Sequence, residues 1–325
     1  MENWQKFAAI GLGVAAGTIY GVISRLIFGV ESVSSTLSIG FFLVTPFVLG
    51  FLTVMLGTDQ QKSSWWYVLS APWATTAICM GLAALFQLEV LICIIMASPI
   101  FLILASLGGL LAKGLWHLIR SNGGRASAIV ILAVLPYVSI PIERLLPLTS
   151  LTRTIHSQIV IDASPEIVWS NITNLQSIED SEKSEPFFYR MGLPRPIEAK
   201  MVCEEIGCIR TGMWEQGLSF EGTITRIEPG RTYWVNLKAD TSEVGPAGNP
   251  LRAVGGSRFS MVDDGYEIED AGNGRTILHL YSTYKLTTRV NMYGALWMDL
   301  FMRDIQGYIL RIEKVRSEKQ MANGG

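Results

Sequence analysis

The sequence predicts a chain of two parts: an α-helical membrane bundle, then an α+β domain in which a curved antiparallel sheet closes over one long C-terminal helix. Three observations carry that expectation. Charge is uneven, with seven Lys/Arg and five Asp/Glu in residues 1–150 against 19 and 23 in the remaining 175. Apolar runs of about 20 residues, the length a helix needs to cross a hydrocarbon core, recur in the first part. In the second part the pattern turns to alternation broken by turn residues, and it ends in a long stretch of three-and-four spacing.

Five runs qualify as spans: 7–23, closed by Arg25; 37–56, closed by Gly57 and Asp59; 66–86; 90–111, closed by Lys113; and 126–142, which contains Pro136 and Pro141 and is closed by Glu143 and Arg144. The first has the Lys6 flank of a secretory signal but no small-residue cleavage site, so it reads as a retained span. Its Gly13, Gly17 and Gly21 form a row on which a neighbouring helix can close, unless they are simply tolerated there. Lys113, Arg120 and Arg125 make the loop after the fourth run the most basic, and the positive-inside rule places it in the cytoplasm. Counting five spans from there carries the second part to the outside. No run has an ionisable residue in its middle, so the bundle reads as an anchor rather than a conduit.

After a 1–145 membrane part and a 146–153 linker, the second domain is expected over 154–318, with a disordered tail at 319–325. Thr154 to Ile161 reads as a strand. Ser164 then caps a helix with Pro165 at its first position and Glu166 in its first turn, running to Thr173. The stretch from Asn174 to Lys183 is polar and weakly helical. Strands follow at 198–204, 208–214, 218–227, 232–238, 257–269 with a break at Asp263 to Gly265, and 276–286. Pro229-Gly230 and Gly272-Asn273-Gly274 mark turns, and 239–256 forms one long loop. The last helix spans 290–317 with Met298, Phe301, Ile305, Tyr308, Ile309 and Ile312 on one face, while Arg311, Glu313 and Lys314 keep the other wet.

A curved sheet over a helix leaves room for an apolar ligand. This order resembles the helix-grip fold of the SRPBCC superfamily, which groups START, Bet v 1 and polyketide cyclase/dehydrase-like domains. Ile161-Asp162-Ala163-Ser164-Pro165-Glu166-Ile167-Val168-Trp169 is similar to the family's opening strand-to-helix junction. Tyr189-Arg190-Met191-Gly192 with Pro196, Glu228-Pro229-Gly230-Arg231, and Asn273-Gly274-Arg275-Thr276 look like landmarks of a bacterial subgroup with membrane spans ahead of this domain. The likeness covers residues 154–318 and implies an integral protein of a bacterial inner membrane. It implies little about activity, since the superfamily holds carriers, receptors, cyclases and proteins without a known ligand.

Alternation places Phe220, Ile224, Val235, Leu237, Tyr266, Leu278, Leu280, Ser282 and Tyr284 on the groove face, with Leu218 and Ile268, opposite Trp297, Phe301 and Ile305 on the helix. These side chains either line a pocket or fill it. Arg210 is a candidate head-group contact within that groove, or an exposed strand residue. His117, His156 and His279 show no metal-ligand spacing, no nucleophile-elbow motif occurs, and no cofactor or metal is expected. Cys203 and Cys208 flank a plausible hairpin turn, as a disulfide or as two reduced thiols. Cys79 and Cys93 read as small apolar side chains in spans. The Asn171-Ile172-Thr173 sequon lies within a helix and is taken as chance.

A net charge of −2 offers no field for a phosphate backbone, so nucleic acid is not an expected partner. Three functions remain. The first is membrane-anchored binding, or transfer, of a lipid or other hydrophobic small molecule. The second is a cyclase- or dehydratase-like enzyme using the same cavity. The third is a partner-binding or sensory module on a membrane anchor, which a large exposed apolar patch would favour.

Overall fold

The computed structural model describes residues 2–29, 38–89, 91–119, 122–175, 177–178, 182, 186–204, 207–245 and 250–324. The expected starts of two spans, Leu37 and Val90, the loop residue Arg120, the turn residues Glu205 and Ile206, and parts of the stretch after Asn174 lie outside them. The chain divides into two units, Met1–Leu148 with Thr288–Val290, and Thr149–Thr287 with Asn291–Gly325.

The first unit is helical. Its elements are α1 (Glu2–Gly29), a π-helical turn (Gly40–Val44) leading into α2 (Thr45–Met55), the short α3 (Asp59–Ser63), α4 (Trp65–Leu85), α5 (Leu91–Leu118) and α6 (Asn122–Leu145). Among the described residues four stretches are long and apolar enough to cross a membrane: Gly11–Gly29, Trp65–Leu85, Leu91–Leu118 and Gly123–Glu143. The expected second span, 37–56, is shorter as described. Gly40–Met55 has only 16 residues, about 24 Å at 1.5 Å per residue. That helix is at the centre of the unit, with Val48, Phe51 and Val54 fully buried.

Glycine lets backbones approach this centre. A Cβ on Gly108 would collide with the Phe47 carbonyl oxygen at 1.8 Å, and one on Gly50 with that of Ala105 at 1.9 Å. The row Gly13, Gly17 and Gly21 faces Thr53, Thr75 and Cys79, with a Cβ on Gly13 falling 2.4 Å from the Thr53 oxygen. This is small-residue packing of the kind membrane helices use. Several polar groups are paired internally: Thr53 Oγ1 donates to Thr75 Oγ1 at 3.1 Å and Tyr20 Oη to the Ala133 carbonyl at 3.1 Å. At one end the buried Glu143 accepts the Ile39 and Gly40 amides at 2.9 and 2.8 Å, and Ser38 Oγ accepts the Phe41 amide at 3.1 Å, so that together they cap this helix start. Arg289 donates to the Glu143, Leu146 (2.6 Å) and Pro147 (3.0 Å) carbonyls, satisfying the open C-terminal end of α6.

The second unit is α+β. Strand β1 (Leu151–Ile161) precedes α7 (Pro165–Thr173). Then come β2 (Asn174–Leu175), a 3₁₀ turn (Tyr189–Met191), β3 (Pro196–Glu204), β4 (Gly207–Trp214), β5 (Ser219–Glu228), β6 (Thr232–Asp240), β7 (Phe259–Gly272), β8 (Arg275–Leu286) and the long α8 (Asn291–Gly324). One eight-stranded antiparallel sheet results, in the order β1-β8-β7-β6-β5-β4-β3-β2. From β2 onward it is a meander, and β1 closes its far edge against β8, with Ile155 opposite Ser282.

Register shifts at Pro196/Glu198, Ile224/Arg226, Met261/Asp263 and Asp270/Gly272 curl the sheet into a half-barrel, since each bulge bends its strand and sharpens the twist. The break expected at Asp263 is one of these bulges, inside a continuous 14-residue strand. Gly272, Asn273 and Gly274, all at positive φ, make the tight β7–β8 turn. The half-barrel grips α8, whose Gln306 amide donates to the Ile155 carbonyl at 3.0 Å and accepts from Ser157 Oγ at 2.7 Å. The helix continues through Gly324, where a disordered tail from 319 was expected. It pairs along the way, with Lys314 donating to the Val160 carbonyl at 2.7 Å and bridging Glu318 at 3.0 Å.

Candidate functional site

On β4 the usual polarity is inverted. Ile209 and Met213 are exposed, while Arg210 between them points into the half-barrel at 8% exposure. Its Nη1 donates to the Ile172 carbonyl at 2.8 Å, at the C-terminal end of α7, where a cation meets the negative end of the helix dipole. The Tyr233 hydroxyl donates to the same carbonyl at 3.0 Å. The guanidinium also lies over the Tyr233 and Tyr266 rings, 5.3 and 5.6 Å from their centroids.

Two carboxylates share this interior. Glu313 of α8 is fully buried, and neither of its oxygens has a hydrogen-bond partner among the described residues. Asp264 of β7 is half-buried as a residue, but its Oδ1 is sealed from solvent and equally unpartnered, while Ser282, opposite it on β8, bonds the carboxylate. Burial pushes Glu313 up to about 7 even though Arg210 and Arg316 pull it back. Burial likewise pushes Asp264 up to about 6 against the Ser282 hydrogen bond and Arg210. Burial alone would lower Arg210, but Tyr233, Tyr266, Glu313 and Asp264 more than offset it and hold the guanidinium charged. The Tyr233 and Tyr266 phenols are pushed up by burial and stay protonated. The interior therefore holds one fixed cation, two acids that titrate near neutrality and three carboxylate oxygens waiting for a donor.

The groove residues expected from alternation fall into separate packed clusters. Val235, Tyr266, Leu278 and Leu280 are buried in one core with Ile161, Val168, Ile172, Tyr233 and Leu310, with Ile224 and Leu237 at its border. Phe301 and Ile305 pack with Tyr189, Tyr308 and Ile312. Tyr284 lies with Ile155, Leu286, Ala295 and Met302, and its hydroxyl donates to Asp299 Oδ1 at 2.6 Å. Phe220 is half-buried, its ring edge-on to Trp214 at 5.8 Å, and Trp297 is half-buried on α8. Much of the groove is thus filled by its own side chains, and its unsatisfied part is the polar trio.

No family model matches the chain, and no curated protein does. Among solved structures it is similar to a START superfamily protein from Mycobacterium smegmatis, at 11% identity over 51% of this chain and 98% of that one, with a TM-score of 0.34. It is also similar to the Zhui aromatase/cyclase from Streptomyces sp. R1128, at 13% identity over 54% and 99% with a TM-score of 0.33. A third is a norcoclaurine synthase from Thalictrum flavum, at 12% identity over 53% and 98% with a TM-score of 0.32.

Sequence reasoning missed both acids. Glu313 was assigned to the wet face of its helix beside Arg311 and Lys314; it is instead buried, in one polar row with Gln306 seven residues before and Ser317 four after, all three at 0% exposure. That seven-residue spacing was the available signal. Asp264 was hidden by the expected break, although it alternates with Tyr266 and Ile268 and so shares their face.

The remaining candidates lie elsewhere. His156 Nε2 and His279 Nδ1 are 3.0 Å apart, and His279 Nε2 faces Glu269 at 3.3 Å. Among the described residues no group of three could hold a metal. The His117 ring lies tilted against that of Trp116, with centroids 4.6 Å apart. Cys203 and Cys208, directly opposite across the β3–β4 hairpin, are joined by a disulfide.

Proposed function

We propose that the chain is a membrane-anchored binding protein for an amphipathic small molecule, a lipid or another hydrophobic compound with a polar end, held inside the half-barrel. The observation that carries this reading is Glu313, a carboxylate at zero exposure with both oxygens unpartnered. Such a group costs on the order of 1–3 kcal/mol or more unless something donates to it. A ligand hydroxyl or ammonium would do so, with Arg210 and Asp264 beside it and the apolar clusters around its body. The four long apolar helices supply the anchor, and the Cys203–Cys208 disulfide favours placing the second unit on the oxidising, extracytoplasmic side.

The test is native mass spectrometry of the full chain released from detergent, with extracted small molecules identified in parallel. The reading expects a bound mass that survives the removal of annular lipid and is lost in Arg210→Leu and in Glu313→Leu. No such mass, and no uptake from a panel of amphiphiles, would overturn it.

A second reading has its own observation. Two acids pushed to about 6 and about 7 beside a fixed guanidinium are suited to giving and taking protons near neutral pH, as a cyclase- or dehydratase-like reaction requires. Turnover of a bound ligand that stops in Glu313→Gln while binding persists would favour it.

A further inference from the structure

The inward face of α8 is accounted for by the three clusters above, but its outward face is not. Met292, Leu296 and Leu300, spaced four apart, are 76%, 62% and 55% exposed. Tyr293 lies beside Met292 on this side, half-buried. Between 291 and 302 the one charged residue is Asp299, and it is engaged by Arg153 at 2.8 Å and by Tyr284. This stretch is therefore apolar on both sides, which a helix in water avoids. One turn further the same exposed row changes character, continuing through Arg303 and Arg311. A helix face that passes from Met and Leu to Arg over about 16 Å matches the gradient from acyl chains to phosphates at a bilayer surface.

Chain length supplies the occupant. Met292 follows Arg289 by three residues, and Arg289 is bound to the carbonyls that end α6, a helix of membrane-crossing length. Three residues of chain reach at most about 11 Å. The apolar row thus begins three residues along the chain from the residue that closes the end of a candidate span.

We propose that the opening turns of α8 sit in the interfacial layer of the lipid bilayer, with Met292, Leu296 and Leu300 at the acyl boundary and Arg303 at the phosphates, the helix leaving the surface at a tilt. This rests on the reading that the long helices of the first unit cross a membrane. It does not depend on what the half-barrel binds.

The full chain is reconstituted in vesicles of phosphatidylcholine and phosphatidylglycerol, in a Cys79→Ala, Cys93→Ala background that keeps the disulfide. A nitrobenzoxadiazole probe is placed in turn at Leu296→Cys, Leu300→Cys and Lys319→Cys, all exposed positions of α8, and at Ile103→Cys, 61% exposed on α5. Quenching by doxyl-labelled lipid is compared with quenching by aqueous iodide. The expected result is lipid quenching at 296 and 300 about threefold stronger than at 319, with iodide showing the reverse order. Iodide quenching at 296 equal to that at 319 overturns the proposal. Protection at 296 from both quenchers also overturns it, because protein then covers the row. Ile103 keeps the two readings apart: lipid quenching there with none at 296 sinks only the docking, and none at either position sinks the membrane assignment as well.

Discussion

Arg210 and Glu313 meet in one interior from opposite layers, the guanidinium carried by a strand and the carboxylate by the helix that the sheet grips. The guanidinium is the main influence pulling Glu313 back toward ionisation, yet burial outweighs it and leaves the acid at about 7. This opposition makes the site measurable.

Stability should depend on pH through Glu313. Its folded pKa lies above the ordinary glutamate value of 4.5, so the folded state holds the proton more tightly than the unfolded chain. The contribution is fully present below about 4.5 and is lost as pH rises through about 7. The difference is on the order of 3 kcal/mol. Glu313→Gln should flatten the slope between pH 5 and 8, read as thermal unfolding of the second unit. Parallel slopes in both proteins would count against the buried, ionisable site.

Removing the cation should be severe. Arg210→Met leaves Asp264 without its compensating cation and Glu313 with Arg316 alone, and removes one of two donors to the Ile172 carbonyl. A loss of about 3–5 kcal/mol is expected, the usual cost of breaking a buried charge pair. Arg210→Met combined with Glu313→Gln should recover part of that loss. A double mutant no better than the sum of the singles would show that the two residues are not coupled.

Packing in the first unit should be intolerant at particular glycines. Gly108→Ala and Gly50→Ala each place a methyl against backbone and should cost about 1–3 kcal/mol in detergent unfolding. Gly81→Ala and Gly114→Ala, where nothing lies within 4 Å, are the matched controls and should stay close to wild type.

The disulfide reports both stability and side. Cys203→Ser with Cys208→Ser should lower stability by about 2 kcal/mol. In intact cells, neither cysteine should react with a membrane-impermeant maleimide until an impermeant reductant is added. Labelling without reductant would place free thiols at the hairpin.

The α+β order was legible because alternation, turn residues and the helical period are local signals that burial reinforces. The long α8, the β7–β8 turn at Gly272–Gly274 and the inward set of β8 all follow from spacing. The polar trio was not legible in the same way. Glu313 sits between Ile312 and Lys314, a local sequence that reads as solvated, and the charges that offset its burial, Arg210 above all, are brought near it by the tertiary fold. The second helix shows a related gap. Hydropathy sees apolar residues but not what they touch, and Gly40–Met55 spends its apolar surface on neighbouring helices. The bulge at Met261/Asp263 coincides with the break expected at Asp263 to Gly265, whereas the one-residue shift at Ile224/Arg226 falls inside a strand expected to be unbroken.

The polar row of Gln306, Glu313 and Ser317 makes the grip of the sheet on α8 sensitive to acid. Were the helix lifted from the sheet, Glu313 would meet water and return toward an ordinary carboxyl, shedding its proton anywhere between about 4.5 and 7. Opening of that kind would release a proton, so by linkage mild acidity would favour the closed half-barrel and alkalinity the open one.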